Sequence, residues 1–262
     1  MRTAIVTGAS SGIGAETARR LSRDGYFVMV VARRQDRLDE LARELGNAHA
    51  LAVDITSEDG PAQLREHMET EHDGRLDLLV NNAGAAWRGK FADGGWENVR
   101  RHMELNFDAQ VRVIEALLPL LRASAPSAIV NVASTAGRVG RYGSGAYSAS
   151  KFAFCGFSDS LYLEEREHGV HVGLVLPGFV ATEGFPQREL RDRPLTRWVV
   201  STPDKVADAI AAAAAGKAER YVPRPYALIP VLRALVPGLL RRAGSGDALT
   251  PSTSAGSSTE RT

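Results

Sequence analysis

Tyr147 and Lys151 stand four residues apart in the run Tyr147-Ser148-Ala149-Ser150-Lys151. On a helix that spacing puts both side chains on one face, one turn apart. A phenol ordinarily loses its proton near pH 10, so at neutral pH it is a poor proton donor or acceptor. A neighbouring ammonium favours the phenolate and pulls that value down. Moving it by roughly three pH units takes about 4 kcal/mol, at about 1.36 kcal/mol per unit, within reach of a close, poorly solvated charge. Tyr and Lys also meet at this spacing on ordinary solvated helix faces, so the pair draws its weight from what surrounds it.

The first element that would position a reaction partner is Thr3 to Thr7 (TAIVT), a short apolar run of the kind that forms a strand buried on both faces. It leads into Gly8-Ala9-Ser10-Ser11-Gly12-Ile13-Gly14, followed by a helical pattern through Ala15, Ala18 and Leu21. Strand, glycine-rich turn and helix together are the context in which such glycines mean dinucleotide binding. Backbone N–H groups must come close to a pyrophosphate at the helix N-terminus, and side chains would block that approach. The spacing is GxxxGxG, and an ordinary strand-to-helix turn with packing glycines is the competing reading.

Tyr26 to Ala32 (YFVMVVA) reads as the second strand, ending in Arg33-Arg34 where an NAD-binding chain would carry an acid for the ribose hydroxyls. Two guanidiniums suit a 2′-phosphate instead and favour NADP, although either can be solvated charge at a helix start. Ala48 to Val53 and Leu76 to Val80 read as the third and fourth strands. Asp54 follows the third, where capping the next segment competes with meeting an adenine. Asn81-Asn82-Ala83-Gly84 follows the fourth; it could tie neighbouring strands and leave room for a ligand, or be a plain Asx-rich turn.

One long helical pattern runs from about Trp96 to Leu121 with Asn106 inside it, a residue that in helix interiors is usually exposed. Ala128 to Ala133 is the fifth strand, ending at Ser134; His171 to Leu176 is the sixth, closed by Pro177-Gly178. Phe179 to Thr202 is too long for a mere connector and reads as a lid or specificity segment. Pro203 to Ala215 reads as a helix and Arg220 to Val222 as a short last strand. Tyr226 to Arg242 mixes apolar clusters with arginines, suited to capping the substrate pocket, packing on a partner or resting on a membrane surface. Gly244 to Thr262 is Ser-, Thr- and Gly-rich and reads as a disordered tail after a single domain spanning residues 1–243.

The 262 residues carry a formal net charge of +1, so no strong field points to nucleic acid or a membrane surface. The single cysteine, Cys155, excludes an internal disulfide and a cysteine-built metal cage, and six histidines lack metal-ligand spacing, so no metal is assigned. Without a signal-like apolar segment or a run long enough to span a bilayer, a reducing cytoplasm is the expected compartment.

These pieces together resemble the single-domain short-chain dehydrogenases/reductases. The matching residues are Thr7-Gly8-x-x-x-Gly12-Ile13-Gly14, Asn81-Asn82-Ala83-Gly84, Asn106, Ser134, Tyr147-x-x-x-Lys151 and Pro177-Gly178, in the family's order, over about residues 1–225. Ser134 precedes Tyr147 by thirteen residues (147 − 134), the separation the family uses. The resemblance implies an α/β, doubly wound (Rossmann) three-layer fold with a mostly parallel sheet of about seven strands. It implies that Ser134 binds the substrate oxygen and that Tyr147 is general acid in carbonyl reduction or base in alcohol oxidation. Lys151 would lower the Tyr147 pKa and hold the nicotinamide ribose, and Asn106 would anchor a water leading to Lys151.

For the cofactor the resemblance implies a pyrophosphate turn of Gly8, Ser10, Ser11, Gly12, Ile13 and Gly14. Asp54 and Ile55 would flank the adenine, with Asn81, Ala83 and Gly84 on the adenosine side and Pro177, Gly178, Val180 and Thr182 at the nicotinamide end. Ser11 stands where many NADP-preferring relatives have a basic residue, so the NADP expectation rests on Arg33 and Arg34. The expected function is an NADP(H)-dependent oxidoreductase acting on a mostly apolar carbonyl or secondary alcohol, as a homodimer or homotetramer built on the 96–121 and 147–168 helices. The competing readings are a cofactor-binding sensor or scaffold without turnover, and a peripheral-membrane lipid or steroid oxidoreductase.

Overall fold

The apolar runs of the sequence become strands whose side chains feed two separate core layers. In β1 (Arg2–Thr7), Ala4 and Val6 face one layer and Ile5 the other, all fully buried. The structure, a computed structural model, describes residues 1–182 and 199–238. After β1 come α1 (Gly12–Arg23), β2 (Tyr26–Ala32), α2 (Gln35–Leu45), β3 (Ala48–Ala52), α3 (Gly60–Glu71) and β4 (Leu78–Asn81). Then follow α4 (Phe91–Met103), a π-helical turn (Glu104–Asp108), α5 (Ala109–Ala123), β5 (Ser127–Val132), a 3-10 turn (Thr135–Gly137) and α6 (Gly145–Glu165). The chain continues through β6 (Val170–Pro177), β7 (Phe179–Val180), β8 (Val200–Ser201), α7 (Pro203–Ala214), β9 (Glu219–Val222), a 3-10 turn (Arg224–Ala227) and α8 (Leu228–Leu235).

Seven strands form one parallel sheet in the order β3-β2-β1-β4-β5-β6-β9, while β7 and β8 pair as a separate short ladder. The core layer holding Ala18 and Leu21 of α1 also takes Val206 and Ile210 of α7; the opposite layer takes Leu64 and Met68 of α3 with Val113 and Leu117 of α5. Helices on both faces of a parallel sheet make the three-layer doubly wound fold that the sequence implied. The chain winds outward from β1 to β3 and then returns to β4, so the strand order reverses between β1 and β4. At such a reversal the loops beyond the strand ends part and leave a crevice.

One detail departs from the sequence reading, and another falls on one of its alternatives, the capping of the pocket. The single helix expected over 96–121 is two α-helices joined by the π turn, with a break at Gly95, whose backbone is in the left-handed region. The segment after Val222 docks on the cleft: Tyr226 Oη donates to Val199 O at 2.9 Å, and a Cβ on Gly178 would overlap the Tyr226 ring. Glycine at 178 is therefore required by close approach. Residues 183–198 of the expected specificity segment, 239–243 of the capping segment and the expected tail at 244–262 lie outside the described residues. No helix among the described residues is long and apolar enough to cross a membrane.

Candidate active site

The crevice is a cavity of about 360 Å³ at the carboxyl ends of the central strands. Its floor begins at the turn after β1. Gly8, Ser11, Gly12, Ile13 and Gly14 line it, and a Cβ on Gly14 would collide with the Gly8 carbonyl oxygen and the Asn82 side chain. Asn82 Nδ2 donates to Thr7 O at 2.9 Å, and Thr7 Oγ1 accepts from the N–H groups of Asn82 at 3.0 Å and Ala83 at 3.1 Å. The β4 loop is thereby bound to the glycine turn. Ser11, the residue before α1, makes no side-chain cap, and the first turn of α1 carries no acid. Its N–H groups and positive dipole end are left for an anion, so the turn fits a dinucleotide pyrophosphate.

Arg34 lies against this turn: Nη2 donates to Ser10 Oγ at 2.8 Å and to Ser11 Oγ at 3.2 Å. Arg33 is exposed, and its charge acts on Asp54. Asp54 Oδ1 accepts from Thr56 N at 3.0 Å and Thr56 Oγ1 at 2.7 Å, which closes the turn after β3. Burial raises the Asp54 carboxyl, but those hydrogen bonds and Arg33 outweigh it and leave the pKa below its ordinary value. Ile55 is buried in the core, so only its backbone could meet an adenine.

The Asn81 side chain does not reach the cleft. It is fully buried and donates to Asn131 Oδ1 at 3.2 Å, while Asn131 Nδ2 donates to Ser158 Oγ at 2.9 Å. Asn81 thus ties β4 to β5 and through it to α6, at the register point where the two asparagines face each other.

At the other end, Ser134, Tyr147, Lys151, Ala83, Gly84, Pro177, Gly178, Val180 and Thr182 line the same cavity. Ser134 Oγ donates to Pro177 O at 3.3 Å and accepts from Ala136 N at 3.1 Å, so the hydroxyl is held at the strand end. Lys151 is 3% exposed and its Nζ donates to Val132 O at 3.0 Å. Asn106, at the π turn, is fully buried rather than exposed as helical Asn usually is. Its Oδ1 accepts from Ala85 N at 2.9 Å, and its Nδ2 donates to Ala85 O at 3.0 Å and Ser150 Oγ at 3.2 Å. With the side chain committed to the cleft wall, a water anchored by Asn106 would hang on its main-chain carbonyl.

The expected lowering of the phenol by Lys151 needs correction. Burial pushes the Tyr147 phenol above its ordinary value; a hydrogen bond with Ser134 and the charge of Arg141 pull the other way. Lys151 Nζ lies 6.0 Å from the centre of the Tyr147 ring, tied to Val132 O, and burial pulls Lys151 itself down to about 8. A poorly solvated phenol that keeps its proton is a donor at neutral pH, and Ser134 beside it can hold the oxygen that receives the proton.

Three residues at the site escaped the sequence reading. Arg88 and Arg141 line the cavity, and burial pulls the Arg141 guanidinium below its ordinary value. His102 is fully buried with its ring 6.0 Å from that of Tyr147; Nδ1 lies 2.7 Å from Asn98 O, and Nε2 accepts from Trp87 N at 3.0 Å. Those partners assign the proton to Nδ1. Burial lowers the His102 pKa, which keeps it a neutral support for the phenol. No spacing marks any of the three. Only the requirement that the loop between Ser134 and Tyr147 wall the cleft could have singled out Arg141.

Comparison with known proteins agrees with this geometry. The family model described as short chain dehydrogenase matches residues 2–192. A 3-ketodihydrosphingosine reductase of Bacteroides thetaiotaomicron is 37% identical over 174 residues, 66% of this chain and 62% of that protein. An uncharacterized oxidoreductase of Bacillus subtilis is 35% identical over 188 residues, 69% of this chain and 66% of that one. The chain therefore spans under two-thirds of the length of these relatives. The crystal structure of a short-chain dehydrogenase from Streptomyces avermitilis superposes with a TM-score of 0.78 at 28% identity, covering 92% of this chain and 97% of the other. With matched residues running from β1 past the Tyr147–Lys151 helix to the end of the cleft, the chain belongs to the short-chain dehydrogenase family.

Proposed function

We propose that the chain is an NADP(H)-dependent oxidoreductase that interconverts a carbonyl compound and a secondary alcohol. The convergence of Ser134, Tyr147 and Lys151 on the cavity that begins at the glycine turn carries this reading. The nicotinamide supplies or accepts the hydride when bound. Tyr147 gives its proton to the substrate oxygen during reduction and takes it back during oxidation, while Ser134 orients that oxygen. Lys151 holds the nicotinamide ribose. The first turn of α1 binds the pyrophosphate, and Phe179 lines the substrate end with Tyr226 packed against Gly178. Depletion of NADPH absorbance across a panel of ketones and aldehydes tests the reading; cofactor binding without turnover of any of them would favour a sensor or scaffold.

The preference for NADP rests on Arg33 and Arg34. Arg34→Ala is expected to raise the KM for NADPH about 10- to 100-fold, the worth of a charge-assisted contact to a phosphate, and to change the KM for NADH far less. Arg33→Ala should do the same more weakly. Equal losses with both cofactors would remove the phosphate from the account.

A second reading, action at a membrane surface, is favoured by α8. Leu228, Val231, Leu232 and Leu235 are exposed there, and from Arg220 to Gly246 the sequence has five arginines and no acid. An exposed apolar helix face within so basic a stretch of sequence suits anionic lipid, and relatives carry the name 3-ketodihydrosphingosine reductase. The full chain should co-sediment with phosphatidylglycerol vesicles and lose that binding in the pair Leu232→Glu/Leu235→Glu. Co-sedimentation unchanged by the pair, or a shift only in oligomeric state, would end this reading.

A further inference from the structure

Arg141 lies in the loop that leads into α6, on the substrate side of the cavity. Its guanidinium carbon is 5.0 Å from the centre of the Phe179 ring, and its charge acts on both Tyr147 and Tyr226. Its Nε is shut off from water and has no hydrogen-bond partner among the described residues. A buried donor left without a partner keeps its full desolvation cost, and for a charged group that cost is large. Arg141 as a whole is only partly buried and lines the cavity, so the same guanidinium can meet an acceptor that arrives with a ligand.

The surroundings indicate which acceptor. Arg88 lines the same cavity and its charge opposes that of Arg141, and Lys151 is a third cation. No Asp or Glu is among the described residues of the lining. A wall that carries cations and no described carboxylate attracts anions and repels amines. The cofactor's phosphates are met elsewhere, at the first turn of α1, whereas Arg141 stands beside Tyr147 and Phe179.

We propose that Arg141 is an oxyanion-binding residue for the substrate, so that the preferred substrate is a keto or hydroxy compound bearing a carboxylate, or a comparable anionic oxygen group, close to the reacting carbon. The inference rests on the oxidoreductase reading and names the substrate class for the same site. Ser134 and Tyr147 take the carbonyl oxygen, Arg141 the anionic oxygens, with Arg88 adding to the field. The apolar walls take the remainder of the molecule. A protonated amine beside the carbonyl is disfavoured by the same charges.

The test compares a β-keto carboxylate, its methyl ester and an α-amino ketone of matched length, each with NADPH, in the parent enzyme, Arg141→Met and Arg141→Lys. The parent should prefer the carboxylate. In Arg141→Met the ratio of kcat/KM for carboxylate over ester should fall about 10- to 100-fold, the equivalent of one charge-assisted hydrogen bond, with partial recovery in Arg141→Lys. A parent that favours the ester or the amine, or a ratio unchanged by Arg141→Met, overturns the proposal. Binding is read without turnover by titrating the NADPH complex with the β-hydroxy carboxylate and following nicotinamide fluorescence. Binding that is lost in Arg141→Met upholds the anion site even where no ketone is reduced, in which case the oxidoreductase reading is the one that has failed. Equal binding by parent and variant overturns the anion site.

Discussion

Tyr147→Phe is expected to lower kcat for carbonyl reduction at least about 1,000-fold, within the span that a positioned acid contributes, while the dissociation constant of NADPH stays near that of the parent. The change removes one oxygen. The ring remains to pack edge-on against His102, and Ser134 keeps its bonds to Pro177 O and Ala136 N, so the cavity should hold its shape. Without the hydroxyl, an alkoxide formed on the substrate must draw its proton from water, which is not positioned as the phenol is. Single-turnover absorbance and nicotinamide fluorescence separate chemistry from binding. Turnover within about 10-fold of the parent would remove Tyr147 from the acid's role, and loss of NADPH binding would make it a structural residue instead.

Much of this arrangement was legible in the sequence because it depends on local pattern. Runs such as AIV in β1 and VMVV in β2, apolar at successive positions, fit only strands covered on both faces, and helices between them fit only a parallel sheet. The glycine turn was legible for the same reason: Gly14 has no space for a Cβ, and the sequence records that directly. What could not be read depends on partners far along the chain. Asn106 in a helical stretch reads as exposed, but the main chain of Ala85 meets both ends of its amide and a π turn carries it inward. Asn81 reads as a ligand-side residue, but its partner Asn131 belongs to the next strand of the sheet.

The spacing of Tyr147 and Lys151 placed both in the cleft and misjudged their coupling. Helical periodicity fixes which face a side chain leaves from and not where its far end settles, and Lys151 Nζ settles on Val132 O. The charge that acts on the phenol comes from Arg141, in an irregular loop where no periodicity helps. Short-range geometry was thus readable and electrostatics was not, since the latter depends on every cation that the fold gathers around one oxygen.

Lys151→Met should separate stability from activity in opposite directions. Burial pulls the Lys151 ammonium from near 10.5 to about 8, so the folded protein holds this charge less readily than the unfolded chain does. The sign follows from linkage: the penalty is fully present below about 8, fades as pH rises towards 10.5, and is absent above. At neutral pH it is of the order of 3 kcal/mol, at about 1.36 kcal/mol per pH unit, against roughly 1.5 to 3 kcal/mol lost with the charged bond to Val132 O. Met nearly matches the volume without the charge, so urea denaturation at pH 7 should find the variant more stable by up to about 1 kcal/mol. Activity should move the other way. In the parent, the ammonium assigned to the nicotinamide ribose loses its proton as pH rises through about 8, so kcat/KM for reduction falls there through weaker cofactor holding. The variant should start about 10- to 100-fold lower, on the scale of a lost charge-assisted hydrogen bond, and show no such limb. A less stable variant would mean that the ammonium is well solvated or paired in the folded protein. A limb that persists at the same pH would assign it to another group.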